Sequence, residues 1–424
     1  KWGYFPSFSG AWQVGQENFM DNVDFINSLK IRAGWGLTGN NRVGDYSSRN
    51  QFGIGIWTGY AFGSGEAYQP GATQSTFAVP DLRWETTAQT NLGVDFSMFQ
   101  SRLSGTVDFY DKKTDDLLLW ADMSPSTGFG NVVQNIGSVS NKGFEVSLSG
   151  LIIDNKDFTW ESNINVSTNK NKILSLNDGQ EFIKTDPQLD WNSEWYYISE
   201  VGKPVGMMYG LEYDGLYQVD DFTYDSSNMD NAPYILKPDL PNYGEGVGPG
   251  SVKYVDQNGD GVINEEDRKV IGDPYAKHFG GFNNNFKYKN FDLGVLLQWS
   301  YDFDVFNANQ MLWGSPLNSS NSRLASASEA WTPWNTDTDI VAHISNGRAT
   351  WPRPGYKMDT RYIEDGSFLR LKTITLGYNV PLNKESGFKS LRLALSGQNL
   401  YTWTNYSGFD PEVNVGGTMN RNLD

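Results

Sequence analysis

Long runs of strict polar/apolar alternation constrain this chain more than any other feature. Along residues 86–97, Ala88, Thr90, Leu92, Val94 and Phe96 fall on one side of an extended strand, and Thr87, Gln89, Asn91, Gly93 and Asp95 on the other. The turn 98–101 leads into residues 102–110, where Leu103, Gly105, Val107 and Phe109 oppose Ser104, Thr106 and Asp108. The two runs form a hairpin with one greasy and one hydrophilic face. Residues 29–37, 142–150, 158–169, 279–288, 291–301, 368–380 and 391–401 repeat the pattern. With a first strand in residues 3–14, the criterion predicts roughly ten strands, several longer than the roughly 5 to 6 residues usual in globular sheets.

The connections alternate as well. Short turns at 98–101, 151–157, 289–290 and 381–390 are interleaved with polar excursions at 38–85, 111–141, 170–278 and 302–366. Compact soluble domains rarely carry loops of that length. Short turns on one rim and long loops on the other are the plan of an outer-membrane barrel. Tyr and Trp gather near strand ends: Trp84, Tyr110, Trp160, Tyr288, Trp299, Tyr301, Tyr378, Tyr401 and Trp403. Such rings favour a membrane interface, although aromatics are also ordinary strand formers. The expected fold is all-β, an antiparallel transmembrane β-barrel with long extracellular loops, in which Gln89, Asn91, Asp95 and Asn163 face the lumen.

Composition narrows the function. The 424 residues carry 33 Lys+Arg against 50 Asp+Glu, a formal charge of -17, which argues against a nucleic-acid binder. Cysteine is absent, so disulfides, thiolate metal sites and Cys nucleophiles are excluded. No run approaches the ~18 apolar residues of a spanning helix, and the first residues lack a signal-peptide apolar core. Mean hydropathy of -0.51 would suggest a soluble chain, but transmembrane strands leave only a weak hydropathy signal. Aromatic residues at 14% argue against disorder. No compositional shift divides the strand-bearing regions, so residues 1–424 read as one unit. Residues 170–278 stand out as a long folded extracellular region.

Within that region, residues 256–267 match the EF-hand loop: oxygen ligands at the first, third and fifth places, Gly261 at the sixth, a carbonyl at the seventh. Asp256, Asn258, Asp260, the Val262 carbonyl and Asp267 are the candidate ligands of a structural Ca²⁺. Asp267 stands where a bidentate Glu is usual, and no flanking helices are evident, which suggests a loop staple rather than a sensor. The bland alternative is a solvated Asx/Gly turn. Catalysis finds little support: His278 and His343 are the only histidines, no nucleophile or metal-protease motif occurs, and no catalytic residue is nominated. The loop aromatics Trp57, Tyr60, Trp120, Trp191, Trp195, Tyr196, Tyr197, Tyr217, Trp313, Trp331, Trp334 and Trp351 could stack on sugars or peptides, or pack the loops together.

Several segments resemble a known family: residues 28–36 with Thr38-Gly39-Asn40, 80–87 (PDLRWETT), 91–95, 135–145 (NIGSVSNKGFE), 201–206, the EF-like loop running into Ile271-Gly272-Asp273-Pro274, 364–372 (EDGSFLRLK) and 397–400. In this order they resemble the C-terminal part of the barrel of SusC/RagA-type TonB-dependent outer-membrane transporters of Bacteroidota. The resemblance implies a 22-stranded barrel, a plug domain that this chain lacks, and a segment contacting TonB. It also implies a SusD-like surface lipoprotein as lid and uptake of oligosaccharides or oligopeptides. About ten strands are roughly half such a barrel, and open edges are not tolerated in hydrocarbon. Two other readings stay open: a soluble, calcium-stabilised glycan-binding β-protein, and an extracellular glycosidase with two loop carboxylates.

Overall fold

The computed structural model describes residues 2–43, 46–62, 67–177, 179–186, 194–224, 234–242, 247–314, 324–341, 357–382 and 387–412. Ten strands form one sheet: β1 Ser7–Trp12, β2 Ile26–Asn40, β3 Glu85–Met98, β4 Leu103–Asp115, β5 Ser138–Asp154, β6 Phe158–Ser175, β7 His278–Tyr288, β8 Phe291–Tyr301, β9 Phe368–Asn379 and β10 Arg392–Thr404. Each pairs antiparallel with the next in sequence, an up-and-down meander. The sequence places every one of these strands, but β4, β5 and β6 run further than the alternation predicts. The extension of β4 is polar on both faces, with Asp111 2.6 Å from Lys142 Nζ and Lys113 Nζ 2.9 Å from Asp115, while β5 adds Leu151, Ile152 and Ile153 and β6 adds Ile173 and Leu174, so the ladder continues where period two has faded. The turn expected at 151–157 shrinks to residues 155–157, because β5 extends to Asp154.

All short connections lie on one rim and all long ones on the other. Lys289 turns the chain with φ +52, and Phe99, Gln100 and Ser101 are consecutively left-handed at φ 55, 60 and 62. That conformation is costly for non-glycine residues. It is held by Phe99 N–H on the Phe25 carbonyl at 2.8 Å and Ser101 N–H on Asn27 Oδ1 at 3.0 Å.

One face of the sheet is apolar and uncovered. Phe8, Ile31, Leu92, Phe144, Leu376 and Leu395 are all exposed on it, Leu395 by 77%. A contiguous apolar surface of this kind requires hydrocarbon. A single hydrogen-bonding row crosses it through Trp12, Ile31, Val94, Val107, Val146, Val166, Gly280, Trp299, Leu369 and Trp403. Trp12 is the last residue of β1 at the short-turn rim, whereas Trp403 lies one residue from the long-loop end of β10. The row therefore climbs from one rim to the other, the stagger expected of tilted barrel strands.

The long excursions fold. Residues 51–76 contain the hairpin Gln51–Phe62 with Ala67–Thr76, and Leu118–Asp122 pairs with Asn131–Asn135. Phe182–Thr185, Tyr197–Glu200, Met207–Gly210 and Lys269–Gly272 make a four-stranded sheet. Beside it lies a core of Leu211, Leu216, Tyr217, Phe222, Val252, Tyr254, Ile263, Trp331 and Val341. Of the region expected at 170–278, residues 170–175 belong to β6 and His278 to β7; the described residues between those strands fold, and they share that core with the excursion after β8. Among the described residues no helix is long and apolar enough to cross a membrane, which says nothing of strands.

Candidate functional site

The second face of the sheet is polar, and cross-strand bonds organise it. Gln89, Asn91, Asp95 and Asn163 all lie on it as the alternation predicts, with Gln89 Nε2 donating to Asn91 Oδ1 at 2.8 Å. Arg32 on β2 donates from Nε and Nη2 to both oxygens of Asp95 at 2.8 Å, and from Nη2 to Asp108 at 2.9 Å. Gly93 lies between Arg32 and Asp108 in the register, and a Cβ there would sit 2.2 Å from Asp108 Oδ1. Only glycine lets the guanidinium cross the intervening strand. The device recurs at the short-turn rim, where Arg392 reaches over Gly377 to Asp292, Nε to Oδ1 at 3.2 Å.

Toward the long-loop rim, Arg370 on β9 is almost wholly buried. It donates to Thr402 Oγ1 at 3.0 Å, to Asp410 Oδ1 at 2.6 Å and to Glu412, which also accepts from Gln298 Nε2 at 3.1 Å. The chain after β10 is thereby folded back over the polar face. A second anchor joins it to the preceding excursion, with Ser407 N–H on Glu364 at 2.7 Å and Asn307 Nδ2 on Ser407 Oγ at 3.1 Å. Sequence reading missed these clamps, since which Arg meets which Asp depends on register between strands far apart in the chain.

In the loop region, Asp359 is fully buried and accepts from Arg361 Nε at 3.0 Å and Nη2 at 2.6 Å, and from the Tyr254 hydroxyl at 3.3 Å. The Arg361 guanidinium lies 4.7 Å from the Tyr213 ring centroid. Tyr213 donates to Asp339 at 2.8 Å, and burial, then that carboxylate, push its phenol well above the ordinary range. A cavity of about 210 Å³ opens here between Gln310, Asp339, Arg361 and Tyr362.

Loop 256–267 takes a tight, side-chain-braced form. Asp256 accepts from the amides of Gly259 and Gly261, each at 2.7 Å, and the Gly261 bond foremost holds its carboxyl below the usual carboxylate range. Asp260 accepts from Val262 N–H at 2.7 Å and Asn258 Oδ1 from Asp260 N–H at 3.0 Å. Gly259 and Gly261 adopt φ +77 and +81, which the curl of the loop requires. Asp267 is fully buried and points both oxygens at backbone amides, Gln257 N–H at 2.9 Å and Asn264 N–H at 2.7 Å. Among the described residues no three acidic or histidine side chains converge as a metal cluster. The all-oxygen donor set nevertheless suits a hard cation, with the Asn258 amide oxygen and the Val262 carbonyl completing three carboxylates. A single short 3₁₀ turn, Glu265–Asp267, closes the loop.

The loop aromatics divide by burial. Tyr196, Tyr197, Tyr217 and Trp331 are core residues, Trp331 donating from Nε1 to Gln218 Oε1 at 3.0 Å, and burial raises the Tyr197 phenol to about 12. Trp334, Tyr60, Trp120 and Trp195 are exposed. Trp191, Trp351 and His343, and the side chain of Trp57, lie outside the described residues. His278 has a structural place at the rim, stacked on Tyr301 and accepting from Trp299 Nε1 at 3.1 Å on Nδ1.

Comparison with known proteins decides between the readings. The family model "TonB dependent receptor-like, beta-barrel" matches residues 1–259. The chain belongs to the TonB-dependent receptor β-barrel family. TonB-dependent receptor P3 of Formosa agariphila is 36% identical over 420 residues, covering 98% of this chain and 39% of that protein. TonB-dependent receptor SusC of Bacteroides thetaiotaomicron is 30% identical over 433 residues, covering 98% and 38%. Among solved structures, the RagAB peptide transporter matches with a TM-score of 0.75 at 25% identity, over 96% of this chain and 40% of that one. The chain thus spans about two fifths of the length of the curated relatives it matches, and it is an outer-membrane β-barrel chain of the SusC/RagA type.

Proposed function

We propose that this chain forms part of the wall of an outer-membrane importer that takes up oligosaccharides or oligopeptides through a TonB-dependent step. In this reading the rest of the relatives' length corresponds to the remaining strands of a larger, 22-stranded barrel, the plug and the TonB contact. A SusD-like lipoprotein covers the long loops as a lid, and the chain carries no catalytic step. The supporting observation is the pairing of an uncovered apolar face with a polar face organised by Arg32, Arg370 and Arg392, on a sheet whose long connections share one rim. Such a wall offers lipid one surface and a polar solute the other. The resemblance to a protein named SusC favours saccharides, and that to a peptide transporter favours peptides. Purification of the intact native protein in mild detergent should yield a stoichiometric lipoprotein partner. Calorimetry against mixed oligosaccharides and a peptide digest should give binding to one of them. Absence of both partner and binding would reject the reading.

A bound Ca²⁺ in loop 256–267 is part of the same proposal. Asp256, Asn258, Asp260, the Val262 carbonyl and Asp267 would hold it, and its chemistry there is charge neutralisation and loop stapling. Calorimetry of the intact protein should show calcium binding that Asp256→Ala with Asp260→Ala abolishes; binding unchanged in that variant would place the ion elsewhere, and no binding in the unsubstituted protein would reject the site.

A further inference from the structure

The apolar face carries a basic notch at its long-loop rim. Trp160 marks the short-turn end of β6, and on the same face the alternation runs through Ile164 and Val166 to Lys170. From Trp160 to Lys170 the strand climbs about 33 Å at roughly 3.3 Å per residue, and a tilt of about 40° leaves about 25 Å of height. That equals the apolar band of an outer-membrane barrel, so Lys170 stands at the boundary between hydrocarbon and headgroups.

Lys142 faces Lys170 directly across the β5–β6 register, and Lys113 and Lys172 both pair with Ser140 one step further out. All four lysines are exposed. Like charges directly opposite on neighbouring strands destabilise the sheet unless something neutralises them. Asp111 partners Lys142 and Asp115 partners Lys113, while Lys170 has no ion pair among the described residues. Beneath the lysines Phe109 and Phe144 make an apolar floor, their ring centroids 5.0 Å apart. Phe109, Lys142, Phe144, Lys170, Tyr275 and Lys277 line a cavity of about 540 Å³, to which Asp273 contributes a carboxylate and Lys277 brings its own partner, Asp302. Snorkelling would account for single lysines at this depth. It does not account for two of them facing each other over an aromatic-floored cavity.

We propose that this notch binds the anionic phosphate headgroup of an outer-leaflet lipid, one with a net negative charge, with Lys142 and Lys170 on the phosphate and an acyl chain against Phe109 and Phe144. The chemistry is that of basic pockets which select anionic lipid headgroups at the membrane surface. The inference uses the outer-membrane setting and is independent of cargo and lid.

Native mass spectrometry of the intact, delipidated protein with added monophosphoryl lipid A tests it. The expected result is one retained lipid per chain, with occupancy at least tenfold lower in Lys142→Gln with Lys170→Gln and restored in Lys142→Arg with Lys170→Arg. Lys170→Gln alone removes no described ion pair, so it keeps the test informative if the double variant folds poorly; a several-fold loss is expected. Occupancy unchanged in the glutamine variants, or equal retention of phosphatidylcholine, would overturn the proposal. So would complete displacement of the lipid by inorganic phosphate at the same concentration, which would make the notch a free-anion site.

Discussion

Placing the same charged side chain on adjacent residues of one strand tests the two-faced wall directly. Ile164 lies on the apolar face, flanked in register by Leu148 and Phe282, whereas Asn163 lies on the polar face between Ser149 and Asn283. Ile164 is about 13 Å along the strand from Trp160, or about 10 Å in height at a 40° tilt, near the middle of a band about 25 Å tall. Arginine facing lipid at that depth costs about 2–4 kcal/mol. Asn163→Arg places the same group beside Glu161, two residues away on the polar face, where water or that carboxylate receives it. The two variants should therefore differ by about 2–4 kcal/mol, roughly 30- to 700-fold in the folding equilibrium. Guanidinium titration of the intact protein in lipid vesicles, followed by tryptophan emission, measures the difference. Equal destabilisation, or a larger loss in Asn163→Arg, would refute the assignment of faces and with it the membrane reading of the sheet.

Other consequences follow from single residues. Asp359→Ala leaves the nearly buried Arg361 without its carboxylate and should destabilise the loop region by about 3–5 kcal/mol, while Asp359→Leu with Arg361→Met should cost far less; limited proteolysis distinguishes them. Gly93→Ala should separate Arg32 from Asp108 and cost about 1–3 kcal/mol through overpacking, more than Asp108→Asn, whose pair is about a third exposed and worth little. The Asp256 carboxyl is held below its unfolded value, so its support for the loop is present above an unfolded pKa of about 3.9 and is lost as pH falls through the lower folded value. Hydrogen exchange at the Gly259 and Gly261 amides should accordingly be unchanged from pH 7 to 5, after correction for the intrinsic rate, and should accelerate only below about pH 4.

The wall was legible in the sequence because a sheet wet on one face and lipid-bathed on the other imposes period two residue by residue, as Leu92, Val94 and Phe96 against Asn91, Gly93 and Asp95 show. Loop asymmetry was legible because every second connection is a long polar stretch in which the alternation stops, while the connections between are short turns. The loop region was not. Its core joins Leu211 and Tyr217 to Trp331 and Val341 across two intervening strands of the wall, and no local periodicity records such contacts. The EF-like spacing marked out loop 256–267, but the amides of Gln257 and Asn264 from which the buried Asp267 accepts are set by how the loop folds and not by spacing. Arg32 and Asp108 were visible as residues and invisible as a pair, because register is set by side chains on other strands.

The charge carried by the polar wall bears on what can pass it. The chain is strongly acidic overall, with a formal charge of -17, yet the wall's arginines stand with carboxylates: Arg32 with Asp95 and Asp108, Arg392 with Asp292, Arg370 with Asp410 and Glu412. With Lys30 3.9 Å from Asp95, these groups are four cations against five carboxylates, so they largely cancel at a distance and the clusters present local donors and acceptors while adding little long-range field. Screening acts on fields reaching beyond a Debye length of about 10 Å at 0.1 M salt and leaves hydrogen bonds at contact nearly intact. Capture of an uncharged polar solute by this wall should therefore vary less than about twofold between 0.05 and 0.5 M salt. Unpairing Arg32 by Asp95→Asn with Asp108→Asn should introduce a salt-dependent preference for anionic solutes. Binding measured on the intact protein across that salt range, before and after the substitution, decides it: strong salt dependence in the unsubstituted protein would mean that the loops, and not the paired wall, set the potential that the solute meets.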